Sequence, residues 1–168
     1  VSVNEKKNNP FEEIAEKKGY TPRKKKRKEP NCAFVTHILK GKKKNGEAIN
    51  IKVDLKKVKN KKQDQDWLWI EFKNPEGKDG WLYGDAHFLV FERTNDFIFV
   101  NRKELLCWIS ASNKIRYDLP YVTLAKKAKY RIYKRKGGNE QISQIHVSDI
   151  KSLKSFQIWN KNADAKPN

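Results

Sequence analysis

The chain has 168 residues, a length that suits one domain with enough volume to bury a real core. Its 38 Lys and Arg against 20 Asp and Glu give a formal charge of +18 and a pI near 9.8. That self-repulsion would be relieved by a polyanion, most commonly nucleic acid, while a Lys-rich solubilising surface is the plainer explanation. No apolar run of about 18 residues and no N-terminal hydrophobic segment occurs, which argues against a membrane span or secretory leader and points to a cytoplasm, that of a prokaryote or of a phage-infected host cell. Cys32 and Cys107 lack CxxC spacing or a Cys/His cluster, so both are expected as reduced, mostly buried thiols rather than a zinc site or disulfide framework.

In chain order, residues 1–10 are polar and loose, and Phe11, Ile14, Ala15 and Lys18 then recur at helical spacing before Gly19 ends a short amphipathic helix. The run Arg23, Lys24, Lys25, Lys26, Arg27 and Lys28, between Pro22 and Pro30, is expected as an exposed arm that touches phosphates, with a localisation signal as its rival. Ala33 to Leu39 reads as a strand and Lys40 to Gly46, with Lys42, Lys43 and Lys44, as a basic turn. Ile49, Ile51, Val53 and Leu55 then alternate with polar residues, so Asp54 and Lys56 share a face.

A polar connection over 57–65 leads to a strand at Trp67 to Lys73, with Leu68, Ile70 and Phe72 on one side and Trp67, Trp69 and Glu71 on the other. Further strands are predicted at His87 to Glu92 and Asp96 to Asn101, then a helix from Arg102 to Ile109. A hairpin follows, pairing Lys129 to Lys134 with Gln141 to Val147 around Gly137, and last a short helix near Asp149 to Leu153. Lys134, Arg135 and Lys136 sit where one face of that hairpin can line a phosphate track. Residues 11–155 read as a single domain and 156–168 as a polar tail.

The charge is interrupted once. Residues 64–96 hold 3 basic and 8 acidic side chains, against 10 basic and 2 acidic in residues 31–63. Carboxylates within a phosphate-binding surface usually need a cation between them and the phosphate. Two acid-x-Lys pairs, Asp54 with Lys56 and Glu71 with Lys73, fall on consecutive predicted strands. The spacing sets carboxylate and ammonium side by side, where the acid can hold Mg²⁺ and the lysine can steer a water at a phosphodiester. A charge-paired, solvated strand face is the ordinary alternative. Trp67, Trp69, Trp81 and Tyr83 can stack bases or simply close a small core.

The element order resembles the core of the PD-(D/E)XK nuclease superfamily. A closer likeness, from roughly Asn9 to Asp149, is to nuclease-like phage and bacterial proteins through the segments Trp67 to Asn74, Gly80 to Gly84 and Ala86-His87-Phe88. The resemblance implies an α/β (α+β) fold: a central mixed sheet with flanking helices, a restriction-endonuclease-like core, and the C-terminal hairpin as an addition. It further implies a Mg²⁺- or Mn²⁺-dependent DNA endonuclease with Asp54, Lys56, Glu71 and Glu12 in the catalytic set and Asp54 and Glu71 on the metal. DNA is favoured over RNA, no membrane is involved, and a homodimer is an allowed assembly. The sequence departs from the family at Phe34-Val35-Thr36-His37, where Thr36 or His37 stands in place of a strand Asp. The alternatives are a nuclease fold that only binds nucleic acid or a partner, and a phage-type protein that binds an acidic protein surface.

Overall fold

Pro10–Lys17 forms the first helix, α1, in the computed structural model of the chain, which describes residues 9–58 and 65–162. Asn9 caps it by accepting a hydrogen bond from the Phe11 amide at 3.0 Å, and Pro10 occupies a first-turn position where a missing N–H costs nothing. Phe11, Ile14 and Ala15 form its buried stripe. Eight strands follow among the described residues: β1 (Thr21–Lys24), β2 (His37–Lys42), β3 (Ala48–Lys56), β4 (Trp67–Lys73), β5 (Phe88–Glu92), β6 (Asp96–Asn101), β7 (Gln141–His146) and β8 (Gln157–Asn160). Helix α2 (Arg102–Ser112) leaves β6 directly, and α3 (Val147–Lys151) leaves β7.

Six strands make one mixed sheet in the order β1-β2-β3-β5-β6-β8, while β4 and β7 pair antiparallel in a separate two-stranded sheet. Only β3 and β5 run parallel. A parallel pair cannot be joined by a tight turn, so the chain leaves the sheet after β3 and returns before β5. Strand β4 lies on that excursion.

The apolar pattern explains the layering. Strands β5 and β6 read as nearly continuous hydrophobic runs and are covered on both faces. Val90, Phe97 and Phe99 meet α1 through Phe11 and Ile14, joined by Leu39, Val53, Leu55 and Trp159. Leu89, Phe91, Ile98 and Val100 point the other way, against Leu68, Ile70 and Phe72 of β4, Ile145 of β7, and Leu105 and Ile109 of α2. Strand β3 is covered by α1 on its apolar face, and its polar alternation turns Asp54 and Lys56 toward the layer that holds β4.

The α+β class with a mixed sheet and flanking helices agrees with the sequence-based expectation, and several details differ. The basic run from Arg23 is not all arm, since Arg23 and Lys24 belong to edge strand β1, paired with Ile38 and His37. Strand β2 starts at His37 and extends to Lys42, and the expected earlier start is interrupted at Phe34, whose φ of 61° is left-handed. Of the predicted hairpin two isolated bridges remain, antiparallel from Tyr133 to Ile142 and parallel from Lys129 to Gln144, while the regular ladder of β7 is with β4. Gln157–Asn160, expected in the polar tail, close the main sheet as β8, with the Trp159 ring tilted against Phe99 at a centroid distance of 4.1 Å. Cys32 is buried and Cys107 is exposed, so only one thiol follows the expectation. Of the segment 1–10 predicted to be loose, Asn9 and Pro10 instead cap and open α1, and residues 1–8, most of the connection at 59–64 and the tail end at 163–168 lie outside the described residues.

Trp159 is 6% exposed and Ile158 is 37% exposed on the same short strand. Trp159→Ala should therefore cost about 3–5 kcal/mol in urea unfolding, the usual loss for an aromatic removed from a core, and Ile158→Ala less than about 1 kcal/mol. Equal losses would mean that β8 contributes by its backbone alone.

Candidate functional site

Asp54 is 1% exposed, and neither carboxylate oxygen has a hydrogen-bonding partner. Lys56 Nζ lies 2.9 Å from Asp54 Oδ2, close enough for a strong charge contact but off the angles of a hydrogen bond. A buried polar group left unsatisfied costs about 1–3 kcal/mol; Oδ1 is in that position, whereas Oδ2 has the Lys56 ion pair. Burial pushes the Asp54 pKa above its ordinary value; the Lys56 ammonium opposes that rise and the nearby Glu71 carboxylate adds to it.

Glu71 reaches this place from the other sheet. It is half-buried on β4, and its Oε1 accepts a hydrogen bond from the Trp81 amide at 3.3 Å. That amide opens a short 3-10 turn, Trp81–Tyr83, brought against β4 by Gly80, whose own N–H donates to the Phe72 carbonyl at 2.9 Å. A Cβ on Gly80 would come within 2.5 Å of the Glu71 carbonyl oxygen, so only glycine permits the approach. The Trp81 ring then lies under the Lys56 ammonium, 4.4 Å from its centroid. Asp54, Lys56, Glu71 and Trp81 thus form one cluster, with β3 supplying the first two side chains and the β4 excursion the others.

Glu12 is not among them. Its Oε1 lies 3.3 Å from Nε2 of His37, and His37 is the ladder partner of Val53, whose side chain projects opposite to that of Asp54. The main sheet therefore stands between Glu12 and Asp54, and the three-carboxylate set expected from the sequence reduces to Asp54 and Glu71. Among the described residues no group of three or more His, Cys, Asp and Glu side chains is placed to hold a metal. Thr36 and His37 are occupied structurally. Thr36 Oγ1 donates to the Val53 carbonyl at 3.3 Å and accepts from the Leu55 amide at 2.8 Å. His37 packs edge-on to Phe11, and burial, with help from Lys24 and Lys57, lowers its pKa against the pull of Glu12.

A shallow depression of about 330 Å³ lies on this side of the sheet, lined by Lys24, Lys25, Val35, Thr36, His37, Leu55 and Lys57. It is basic, and the acid pair is on the opposite face.

The remaining cations are spread over the surface rather than gathered into one track. Arg23 is held by Glu29 in a bidentate pair with both contacts at 2.8 Å, so it is partly neutralised, whereas Lys26, Arg27 and Lys28 are exposed. Lys42 and Lys44 are exposed at the far end of the β2–β3 turn, where Lys43 pairs with Glu47 at 3.2 Å. Lys134 lies over the Tyr121 ring at 5.7 Å, Arg135 is 3.6 Å from Glu140, and Lys136 is exposed. Lys73 is exposed, beyond a register shift after Glu71. Trp67 and Trp69 contact Tyr130 and Tyr133, which flank the second sheet. The role of Trp81 as the seat of Lys56 had no clear sequence signal beyond the preceding glycine.

A carboxyl whose pKa is raised in the folded state binds its proton more tightly there than in the unfolded chain, so it costs stability as pH climbs from its ordinary value, 3.8, through the raised one. The difference in unfolding free energy between Asp54→Asn and the parent should accordingly grow with pH over that window, in favour of Asn, and level off above it. Urea midpoints at a series of pH values measure it; a flat difference would mean that Asp54 titrates like an exposed carboxylate. The chain matches no protein-family model, no curated protein and no solved structure, so the chemistry of the cluster rests on its own geometry.

Proposed function

We propose that the chain binds nucleic acid, DNA ahead of RNA, and hydrolyses phosphodiester bonds with the help of a divalent cation. The observation that carries this is the Asp54 carboxylate: buried, with a lysine 2.9 Å away as its one close contact and a second carboxylate near enough to act on its charge. A protein that needed only stability would gain by replacing it, and perturbed carboxylates of this kind concentrate at functional sites.

Asp54 and Glu71 are the residues that would hold Mg²⁺ or Mn²⁺, and they fit: such ions take one or two carboxylates, with waters and phosphate oxygens completing the shell, and Asp54 Oδ1 has no partner while Oδ2 meets only Lys56. A bound ion would supply Lewis acidity and a more acidic water. Lys56 does the rest of the work from the chain itself. It is the more exposed member of the pair, with 28% of its side chain accessible, so an incoming phosphate meets the ammonium first. Drawn toward that phosphate, Lys56 uncovers Asp54, while Trp81 offers the ammonium a resting place beside the reacting group.

One observation favours a second function, a noncatalytic nucleic-acid binder. Glu12 is engaged by His37 across the sheet, which leaves two carboxylates where the resembled family uses more. The two are separated by incubating supercoiled plasmid with the protein and Mg²⁺ or Mn²⁺. Cleavage that falls roughly 100-fold or more in Asp54→Asn and in Glu71→Gln, the scale of a lost metal contact, is the expected result. Plasmid left intact under both metals, with binding that weakens steeply as salt rises, would replace the nuclease by the binder.

A further inference from the structure

We propose that the basic depression bordered by Lys24, Lys25 and Lys57 is a binding site for one phosphoryl group, and that His37 in its wall takes up a proton as the site fills. The site lies across the sheet from Asp54 and needs neither that carboxylate nor a metal.

The strand register builds it. Lys24 is the ladder partner of His37, and His37 of Val53, so these three side chains share one face. Leu55 follows Val53 by one period of the strand, and Lys57, one period further and just past the strand end at Lys56, lines the same depression. The Lys25 amide donates to the Thr36 carbonyl at 3.0 Å, which brings Lys25 to Thr36 and Val35, the rest of the wall.

Charge says what fills it. Lys24, Lys25 and Lys57 are in no ion pair among the described residues, and no described acidic side chain lines the depression. Of the acids on adjoining elements, Glu29 is clasped by Arg23 with both contacts at 2.8 Å, and Glu12 faces His37. Glu13 and Glu16 are exposed on α1 and are not part of the wall. Three ammonium groups carry more charge than one diester phosphate balances, whereas a terminal phosphoryl group brings about −1.5 to −2. Lysine serves such a group as a point charge with three N–H donors. The volume, about 330 Å³, is at the small end of ligand sites, room for a phosphoryl group and the atoms next to it.

His37 links the site to pH. Its side chain is 5% exposed, and an oxygen stands near each ring nitrogen. Thr36 Oγ1 is 3.0 Å from Nδ1, and Glu12 Oε1 is 3.3 Å from Nε2, a charge contact off the angles of a hydrogen bond. A protonated ring therefore has an acceptor within reach of each hydrogen. Burial is the main force against that charge, Glu12 favours it, and Lys24 and Lys57 oppose it. A dianion among the lysines cancels two of the opposing influences. Proton and anion then bind cooperatively, each strengthening the other by the same factor.

The test follows the His37 imidazole by NMR against pH, in chloride and in sulfate at equal ionic strength, because sulfate is a tetrahedral dianion that does not itself titrate near neutrality. The His37 midpoint should rise in sulfate by about 0.5 pH or more, a roughly threefold tighter grip on the anion by the protonated form. His87 is the internal control: Lys52, Arg102 and Lys103 act on it as well, so a diffuse anion atmosphere moves both histidines alike. The double variant Lys24→Gln, Lys57→Gln, at two exposed positions, should abolish the difference between the salts. Two sources of the phosphoryl group are separated by fluorescence anisotropy with an oligothymidylate bearing a 5′-phosphate and its 5′-hydroxyl twin, in EDTA. Tighter binding of the phosphorylated strand, lost in the double variant, assigns the site to a strand end. Equal binding of the two strands, with inorganic phosphate still moving His37, assigns it to a small phosphorylated molecule. A His37 midpoint that moves no further than that of His87, or that moves equally in the double variant, would overturn the site. Neither result bears on plasmid cleavage by the acid pair, which succeeds or fails separately.

Discussion

Strand β5 is buried on both faces and pairs in parallel with β3, and the position of every charged group in the cluster follows from that one pairing. Because Val90 faces α1 while Leu89 and Phe91 face the second layer, the neighbouring strand must present Val53 and Leu55 to α1. Asp54 and Lys56 are then forced into the second layer by the two-residue period of the strand. The same parallel pairing obliges the chain to leave the sheet between β3 and β5, and this excursion delivers Glu71 and Trp81 to the side where Asp54 emerges. Topology thus both buries the carboxylate and supplies its company.

The arrangement is thermodynamically poised. Lys56 and Glu71 act on Asp54 in opposite senses, on top of a desolvation that exceeds either. Net folding stability of a domain is only about 5–15 kcal/mol, so a buried acid with one lysine as its contact is a noticeable cost against it. The surrounding packing is compensatory: Trp81, Phe91, Leu89 and the β4 side chains form the largest apolar cluster in the molecule among the described residues. Among the other described residues, the buried acids Asp149 and Asp96 are well paired. Asp149 takes hydrogen bonds from Lys114, from the Tyr130 hydroxyl at 2.6 Å and from the His146 amide at 3.0 Å, and Asp96 is gripped by Arg93 at 2.8 Å through two nitrogens. Asp54 stands out against that background.

Much of this was legible in the sequence where a residue's neighbours along the chain decide its fate. The strict alternation from Ile49 to Leu55 set the faces of β3 correctly, and the run from Trp67 to Lys73 matched β4 end to end. Alternation says which residues share a face but not which sheet the strand joins, so β4 read as a neighbour of β3 although it pairs with β7. Glu12 flanks the apolar stripe of α1 as expected, yet the face of the sheet onto which α1 docks is a long-range fact that no local pattern carries. Strand β8 was missed because Gln157-Ile158-Trp159-Asn160 buries a single ring, Trp159, whose partner Phe99 is distant in the chain. The short hairpin arm stays irregular although it does bond to the free edge of β7: Tyr130, at φ 55°, breaks the extended run between its bridges at Lys129 and Tyr133.

Strand β1 gives part of the chain's basicity another use. It lies at an open edge of the six-stranded sheet, where unpaired amides and carbonyls invite another chain to add on. Pro22 removes one donor from that edge, and Arg23 and Lys24 on the strand, with Lys26, Arg27 and Lys28 just after it, surround it with like charge. Two copies approaching edge to edge would bring these cations together. The same residues that suit a phosphate backbone therefore keep the sheet from growing by strand addition, and a polyanion that neutralised them would lift that protection at the moment it bound.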